Sequence, residues 1–277
     1  MTKGKKLSMK LTKMMTMIWN NLELYDSYAW VKTEDSFNIF KDIQRPQRKI
    51  KAEFIDNGSN YKQSDWDISV LQRGMYLTNT ESISNERDGI IYKSDVDTYV
   101  SVAAGLKGLI KGAVDNSDRF SYTYVDVSPA ALDYRMFVDS KLKENYKENL
   151  DDIWNEYFSI PETMPLPLYG GGYNSIETAL DDYLREVGID RTQWYEFLKT
   201  YSECNKTYIK IDLINNIKLL VNLIKSDDKI WFWYSNAFDW HQFRHTETSY
   251  FNWKKYIEQR IPNIDLCGHT PPFTSSA

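Results

Sequence analysis

The fold is decided by residues 97–132, DTYVSVAAGLKGLIKGAVDNSDRFSYTYVDVSPAAL. The opening DTYVSVAAG (97–105) is apolar, β-branched and closed by a glycine, which predicts a short buried strand. LKGLIKGAVD (106–115) then sets Leu106, Leu109, Ile110 and Ala113 on one helical face. RFSYTYVDV (119–127) reads as a second strand, rich in aromatic and β-branched residues, with Asp126 at its end. Ser128 suits a helix N-cap and Pro129 a first helical position, opening a helix to about Tyr146 that carries Leu132, Phe137 and Leu142. Strand, helix, strand, helix with short connections predicts parallel βαβ units.

Downstream, the alternation pauses. FSIPETMPLPLYGGGYNS (158–175) is a proline- and glycine-rich loop. Two helices are predicted after it, one from a capping box of Asn174 and Glu177 to Gly188, the other over 191–203 after Asp190. KTYIKIDL (206–213) then reads as a strand, INNIKLLVNLIKSDD (214–228) as an amphipathic helix and KIWFWYSNAF (229–238) as a strongly apolar strand. FNWKKYIEQRI (251–261) is a last helix before a tail ending CGHTPPFTSSA. Upstream, residues 1–91 show no clear period, with turn clusters DNGSN (56–60) and TNTESISNERDG (78–89). They predict an N-terminal extension with some strand content, packed on a domain at 92–277 that holds an insertion at about 150–205. The expected fold class is α/β, a Rossmann-like, doubly wound, mostly parallel sheet.

Composition bounds the function. The 277 residues are enough for a sizeable core, and 42% hydrophobic with 26% charged content is that of an ordinary globular chain. A net charge of −5 mildly disfavours long nucleic acid as a partner. The two cysteines, Cys204 and Cys267, provide no disulfide framework or Cys-rich zinc site, so a reducing, cytoplasmic setting is expected. The start, MTKGKKLSMKLTKMMTMIWNN, has the outline of a signal peptide. Lys10 and Lys13 interrupt its apolar run and no small-residue cleavage site follows, so it reads as a basic tail leading into a short helix. No apolar run approaches the ~20 residues of a membrane span.

Four expected strands end in small or polar groups: Gly105, Asp126, Asp212 and Ser235-Asn236. In an open doubly wound sheet such ends converge on one crevice. A glycine after the first strand lets a ligand approach the backbone, and the next helix offers free N–H groups. An acid ending the second strand can accept both hydroxyls of a ribose. The structural alternatives are plain turn chemistry for Gly105 and Gly108, a cap or solvated acid for Asp126, and a helix cap for Asp212.

VSVAAGLKGL, YTYVDVSPAAL, YIKIDLIN and IWFWYSNAFDW, in this order, resemble the nucleotide-binding half of class I S-adenosylmethionine-dependent methyltransferases, over roughly residues 92–240. The flavour is that of the divergent methyltransferase-like proteins of phages. The resemblance implies that Ala103, Ala104 and Gly105 wrap the methionine portion of S-adenosylmethionine. It implies that Asp126 binds the ribose with Ser128 close by, and that Asp212 and Asn215 face the cofactor's amino group or the substrate. Ser235 and Asn236 end the strand next in order. The loop departs from the family's pattern in that its glycines, Gly105 and Gly108, are three apart rather than two. The base-methylation signature [DNS]PP[YF] is absent from the fourth strand, and TPPF at 270–273 matches it in letters alone.

Other candidates carry weaker signals. His241 and His245 in HQFRH are one helical turn apart, but no glutamate lies within the motif, so no metal is expected and His241 is kept as a candidate general base or substrate contact. Cys267 and His269 are too commonly spaced to mark a catalytic pair, and Cys204 reads as core. Trp231, Phe232 and Trp233 read as a strand buried on both faces, while Trp240 is a stacking or core residue. Gly170–Gly172 form a lid hinge or, more simply, a surface loop. The leading expectation is therefore methyl transfer from S-adenosylmethionine to a small molecule, protein or nucleotide. A nicotinamide-dependent oxidoreductase ranks lower, because G-x-G-x-x-G is absent. The alternative is a non-catalytic Rossmann-like protein acting in binding or assembly, which the altered glycine loop favours.

Overall fold

Residues 98–126 form two parallel strands joined by a helix, and the rest of the domain is laid down on either side of them. The computed structural model describes residues 30–33, 74–79, 81–83, 89, 91–159, 166–168, 171–214, 216–224, 227–235, 237–239 and 247–269. In chain order the strands are β1 (Trp30–Thr33), β2 (Gly74–Tyr76), β3 (Thr98–Val102), β4 (Ser121–Asp126), β5 (Leu166–Leu168), β6 (Asn205–Lys210), β7 (Ile230–Trp233) and β8 (Ile264–Cys267). The helices are α1 (Lys107–Asp115), α2 (Pro129–Glu144), α3 (Leu150–Phe158), α4 (Ile176–Val187), α5 (Arg191–Glu203), α6 (Ile217–Ile224) and α7 (Glu247–Glu258).

The main sheet runs β1-β6-β4-β3-β7-β8. Five of these strands are parallel, and β1 lies antiparallel along the β6 edge. Read by chain order, the parallel strands are third, second, first, fourth, fifth, which is a doubly wound Rossmann-like α/β sheet. The direction of winding reverses between β3 and β7. β2 and β5 form a separate parallel pair.

Burial on both faces explains the sequence of these strands. All of β3 and all of β7 are buried, so both read as continuous apolar runs rather than alternating ones. Tyr99, Tyr122, Tyr124, Trp231 and Trp233 share one face, with Tyr99 stacked on Tyr122 at 4.8 Å between rings. Val100, Val125, Ile209 and Phe232 take the other, where Trp253 of α7 packs on Phe232. α1 lies unusually close to the tyrosine face because Gly108 and Gly112 carry no side chain. A Cβ on Gly108 would come within 2.6 Å of Ser101 Oγ. The second glycine of the sequence loop thus serves helix-to-sheet packing.

Residues upstream of 97 complete this layer. Ser94 N donates to Asp115, Lys111 donates to Ser94, and Tyr92 donates to Asp265 of β8. Ile83, Ile91 and Val96 are buried in the common core.

Several local expectations are corrected. The N-cap of α4 is Ser175, not Asn174, and its Oγ accepts from Thr178 N at 3.1 Å. The capping box is found instead on α5, between Asp190 and Gln193. Helix α3 and the short β5 occupy stretches with no element assigned from sequence, and residues 264–267 of the expected tail form the fifth parallel strand. The apolar run at 229–238 stops being strand at Trp233. Ser235 turns it with a φ of +57° and a 3-10 turn follows at Ala237–Asp239.

Candidate ligand-binding crevice

Register brings the strand ends level. Val102 lies opposite Val125, Ser101 opposite Trp233, and Asp126 opposite Lys210. The chain after β3, Asp126, the chain after β6 and Ser235 therefore emerge along one carboxyl edge. The connections from β3 and β7 leave toward opposite faces, which opens the crevice where open α/β sheets take ligands.

The loop Ala103–Leu106 is gripped from three sides. Gly105 sits at φ +71°, a conformation that glycine adopts without strain. From the end of β4, Asp126 accepts from Ser128 N at 2.9 Å, and the N–H groups of Ala103, Val127 and Ala104 also stabilise its carboxylate. Burial nevertheless dominates and pushes this acid up to about 6. From α2, the buried Arg135 guanidinium donates to Gly105 O at 2.6 Å and to Ala103 O at 3.3 Å. The third hold comes from upstream. Leu106, the N-cap of α1, has no side-chain cap of its own, and its N–H donates to Asn79 Oδ1 at 2.9 Å. Asn79 N in turn donates to the Tyr183 hydroxyl of α4, and that hydroxyl donates back to Asn79 O at 3.3 Å.

Of the residues expected from sequence, Ala103, Ala104, Gly105, Asp126 and Ser128 are brought together. Ser128 is also the N-cap of α2, accepting from Ala131 N at 3.3 Å. Asp212 reaches the same edge, but its Oδ1 accepts from Ile214 N at 3.0 Å and shapes the turn before α6. Ser235, two residues beyond the end of β7, lies at this edge too, where its Oγ donates to Glu81 and its carbonyl accepts from His269 N. Asn215, Asn236, Trp240, His241 and His245 lie outside the described residues.

Sequence reasoning missed Arg135, Asn79 and Tyr183. Arg135 had a signal, since it and Asp139 fall on the stripe of Leu132 and Leu142, the buried face of α2, where charge demands a partner. Asp139 finds two, the hydroxyls of Tyr201 and Tyr208 at 2.5 and 2.7 Å. Asn79 had none, because its partner Leu106 lies 27 residues away.

Remaining candidates are structural. Cys204 is buried, and burial pushes the Cys267 thiol up to about 11, so it is not a thiolate near neutral pH. Gly171 and Gly172 form an exposed turn. A Cβ on Gly171 would lie 3.6 Å from Asn79 O, so this turn backs onto the same asparagine. Among the described residues no cluster of three or more His, Cys, Asp or Glu is placed to hold a metal, and no helix is long and apolar enough to cross a membrane. No family model matches the chain, and neither a curated protein nor a solved structure is detectably similar to it.

Proposed function

We propose that this protein binds S-adenosylmethionine at the carboxyl edge of β3 and β4 and transfers its methyl group to an acceptor. The observation that carries this reading is Asp126, a buried carboxylate at the end of the second parallel strand, set against the glycine-closed loop of the first. The groups present suit a nucleoside. Ionised Asp126 is an acceptor for ribose hydroxyls, and Gly105 leaves backbone open to close approach. Bound there, S-adenosylmethionine supplies an electrophilic methyl carbon, and the C–S electron pair stays on sulfur as the acceptor's lone pair bonds to that carbon. The chain's part is to hold donor and acceptor in line. Asp126 orients the ribose, while Arg135 keeps the loop in the shape that faces it. A proton acceptor is needed only for an acceptor group that must first be deprotonated.

A second reading is favoured by Asn79, which already occupies the helix terminus and the glycine that a ligand would use. On that reading the protein is a non-catalytic Rossmann-like binder, its crevice filled by its own chain.

Calorimetric titration with S-adenosylmethionine and S-adenosylhomocysteine, with NAD as control, decides between them. Micromolar binding of the first two, weakened at least tenfold in an Asp126→Ala protein that keeps its circular dichroism spectrum, supports the methyltransferase reading. Absence of binding to all three in wild type and in an Asn79→Ala protein, in which the helix terminus and Gly105 are uncovered, sinks it and leaves the non-catalytic one.

A further inference from the structure

We infer that residues 77–79 and 81–83 belong to an intramolecular strap across the crevice, which a nucleoside ligand must displace from Gly105 to bind. The inference rests on the reading of this crevice as a nucleoside site. Asn79 covers both features that make the β3–α1 turn a ligand site. Its Oδ1 takes the Leu106 N–H at 2.9 Å, and its Nδ2 lies 2.9 Å from where a Cβ on Gly105 would stand. The strap continues across the switch point. Lys107 Nζ donates to Ser82 O at 2.9 Å on the β3 side, and Ser235 Oγ donates to Glu81 on the β7 side.

The strap is built to lift rather than to unfold. Its ends are apolar and buried, Leu77 at 2% and Ile83 at 0% exposure. Between them Thr78, Asn79, Glu81 and Ser82 are polar. The middle is as buried as the ends, with Thr78 at 0%, Asn79 at 5% and Glu81 at 8% exposure, but it is polar and held by hydrogen bonds that a ligand's own polar groups can replace. Tyr183 supplies the hinge partner on the insertion side, holding the Asn79 backbone while leaving its side chain to face the loop. A ligand whose competent state is a minor one binds weaker by the fraction open, so weakening the closed state raises affinity.

The test titrates S-adenosylhomocysteine into wild type, Asn79→Ala and Glu81→Ala, with hydrogen exchange of the 77–83 peptide followed in wild type. The two variants release the strap from opposite sides, so one remains informative if the other folds poorly. The expected results are affinity about tenfold tighter in the variants and faster exchange of 77–83 in wild type when the ligand is bound. Binding to a variant alone, with none to wild type, also supports the strap. Wild-type binding that the variants leave equal or weaken, with 77–83 slowed or unchanged by ligand, overturns the strap and leaves the nucleoside site standing. No binding to any of the three proteins removes the nucleoside site itself, and the strap with it.

Discussion

Asp126 and Arg135 hold the same loop by opposite ends of its peptide dipoles. The carboxylate is stabilised by the N–H groups of Ala103 and Ala104, and the guanidinium takes the carbonyls of Ala103 and Gly105. Each charge is buried, at 9% and 4% exposure, and each is compensated mainly by backbone. A buried ion without such partners would be strongly destabilising. The pair therefore fixes which way the loop's N–H groups point, and a ligand meeting Asp126 meets a preformed surface.

The lowered acidity of Asp126 has a definite sign in stability. Its folded value of about 6 stands above the ordinary 3.8, so the folded chain keeps the proton longer than the unfolded one. The stabilisation is fully present below about pH 4 and is lost as pH rises through about 6, a change of about 3 kcal/mol. Urea unfolding of wild type and Asp126→Asn across pH 4–7 isolates it, because asparagine does not titrate. Wild type should lose about 2 kcal/mol of that relative to the variant over this range. A constant difference would mean that the carboxyl titrates normally.

The same titration should appear in binding. Ribose hydroxyls donate to the ionised carboxylate, so protonation competes with the ligand. With a value of about 6, the affinity for S-adenosylhomocysteine should be about tenfold weaker at pH 5 than at pH 7. A flat profile between those values would place the ribose away from Asp126.

Asp151 and Glu177 cap each other's helices, and this joins α3 to α4. Asp151 in the first turn of α3 accepts from Ser175 Oγ at 2.7 Å and Ile176 N at 2.8 Å, at the start of α4. Glu177 in the first turn of α4 accepts from Leu150 N at 2.7 Å, at the start of α3, and pairs with Arg191. Losing a cap costs about 1 kcal/mol. Asp151→Ala and Glu177→Ala should each cost about that, and the double variant should depart from additivity by at least about 0.5 kcal/mol, since both act on one helix junction. Strict additivity in chemical denaturation would show that the two caps act independently.

What was legible in the sequence was what is local. β3, α1, β4 and the Ser128-Pro129 start of α2 follow from periodicity and cap chemistry within a few residues. β8 was not, because IDLC is only four residues, too short for its alternation to register, and is a strand through its pairing with β7. Asn174 and Ser175 are both good caps by residue type, and the choice between them is made by Asp151, 24 residues upstream. The crevice divides in the same way. Ala103–Gly105 and Asp126 stand at strand ends that the pattern locates, whereas Asn79 reaches the site through tertiary packing.

Gly112 sets local propensity against packing, and the magnitudes decide. In an exposed helix, replacing glycine by alanine gains about 1 kcal/mol. Here a Cβ would fall 2.6 Å from Phe197 Cε2 and also strike the Tyr122 hydroxyl. Neither neighbour is free to give way. The Tyr122 hydroxyl donates to Gly108 O at 3.0 Å, and Phe197 is stacked on Phe120 and packed against Tyr201. Overpacking of this kind costs about 1–3 kcal/mol, and with both neighbours fixed the upper part of that range applies. Gly112→Ala should therefore destabilise the protein by about 1–2 kcal/mol net, read as a lower urea midpoint with unchanged slope. A midpoint at or above that of wild type would mean that α1 can move away from the sheet, and the close approach of that helix would no longer explain the glycine.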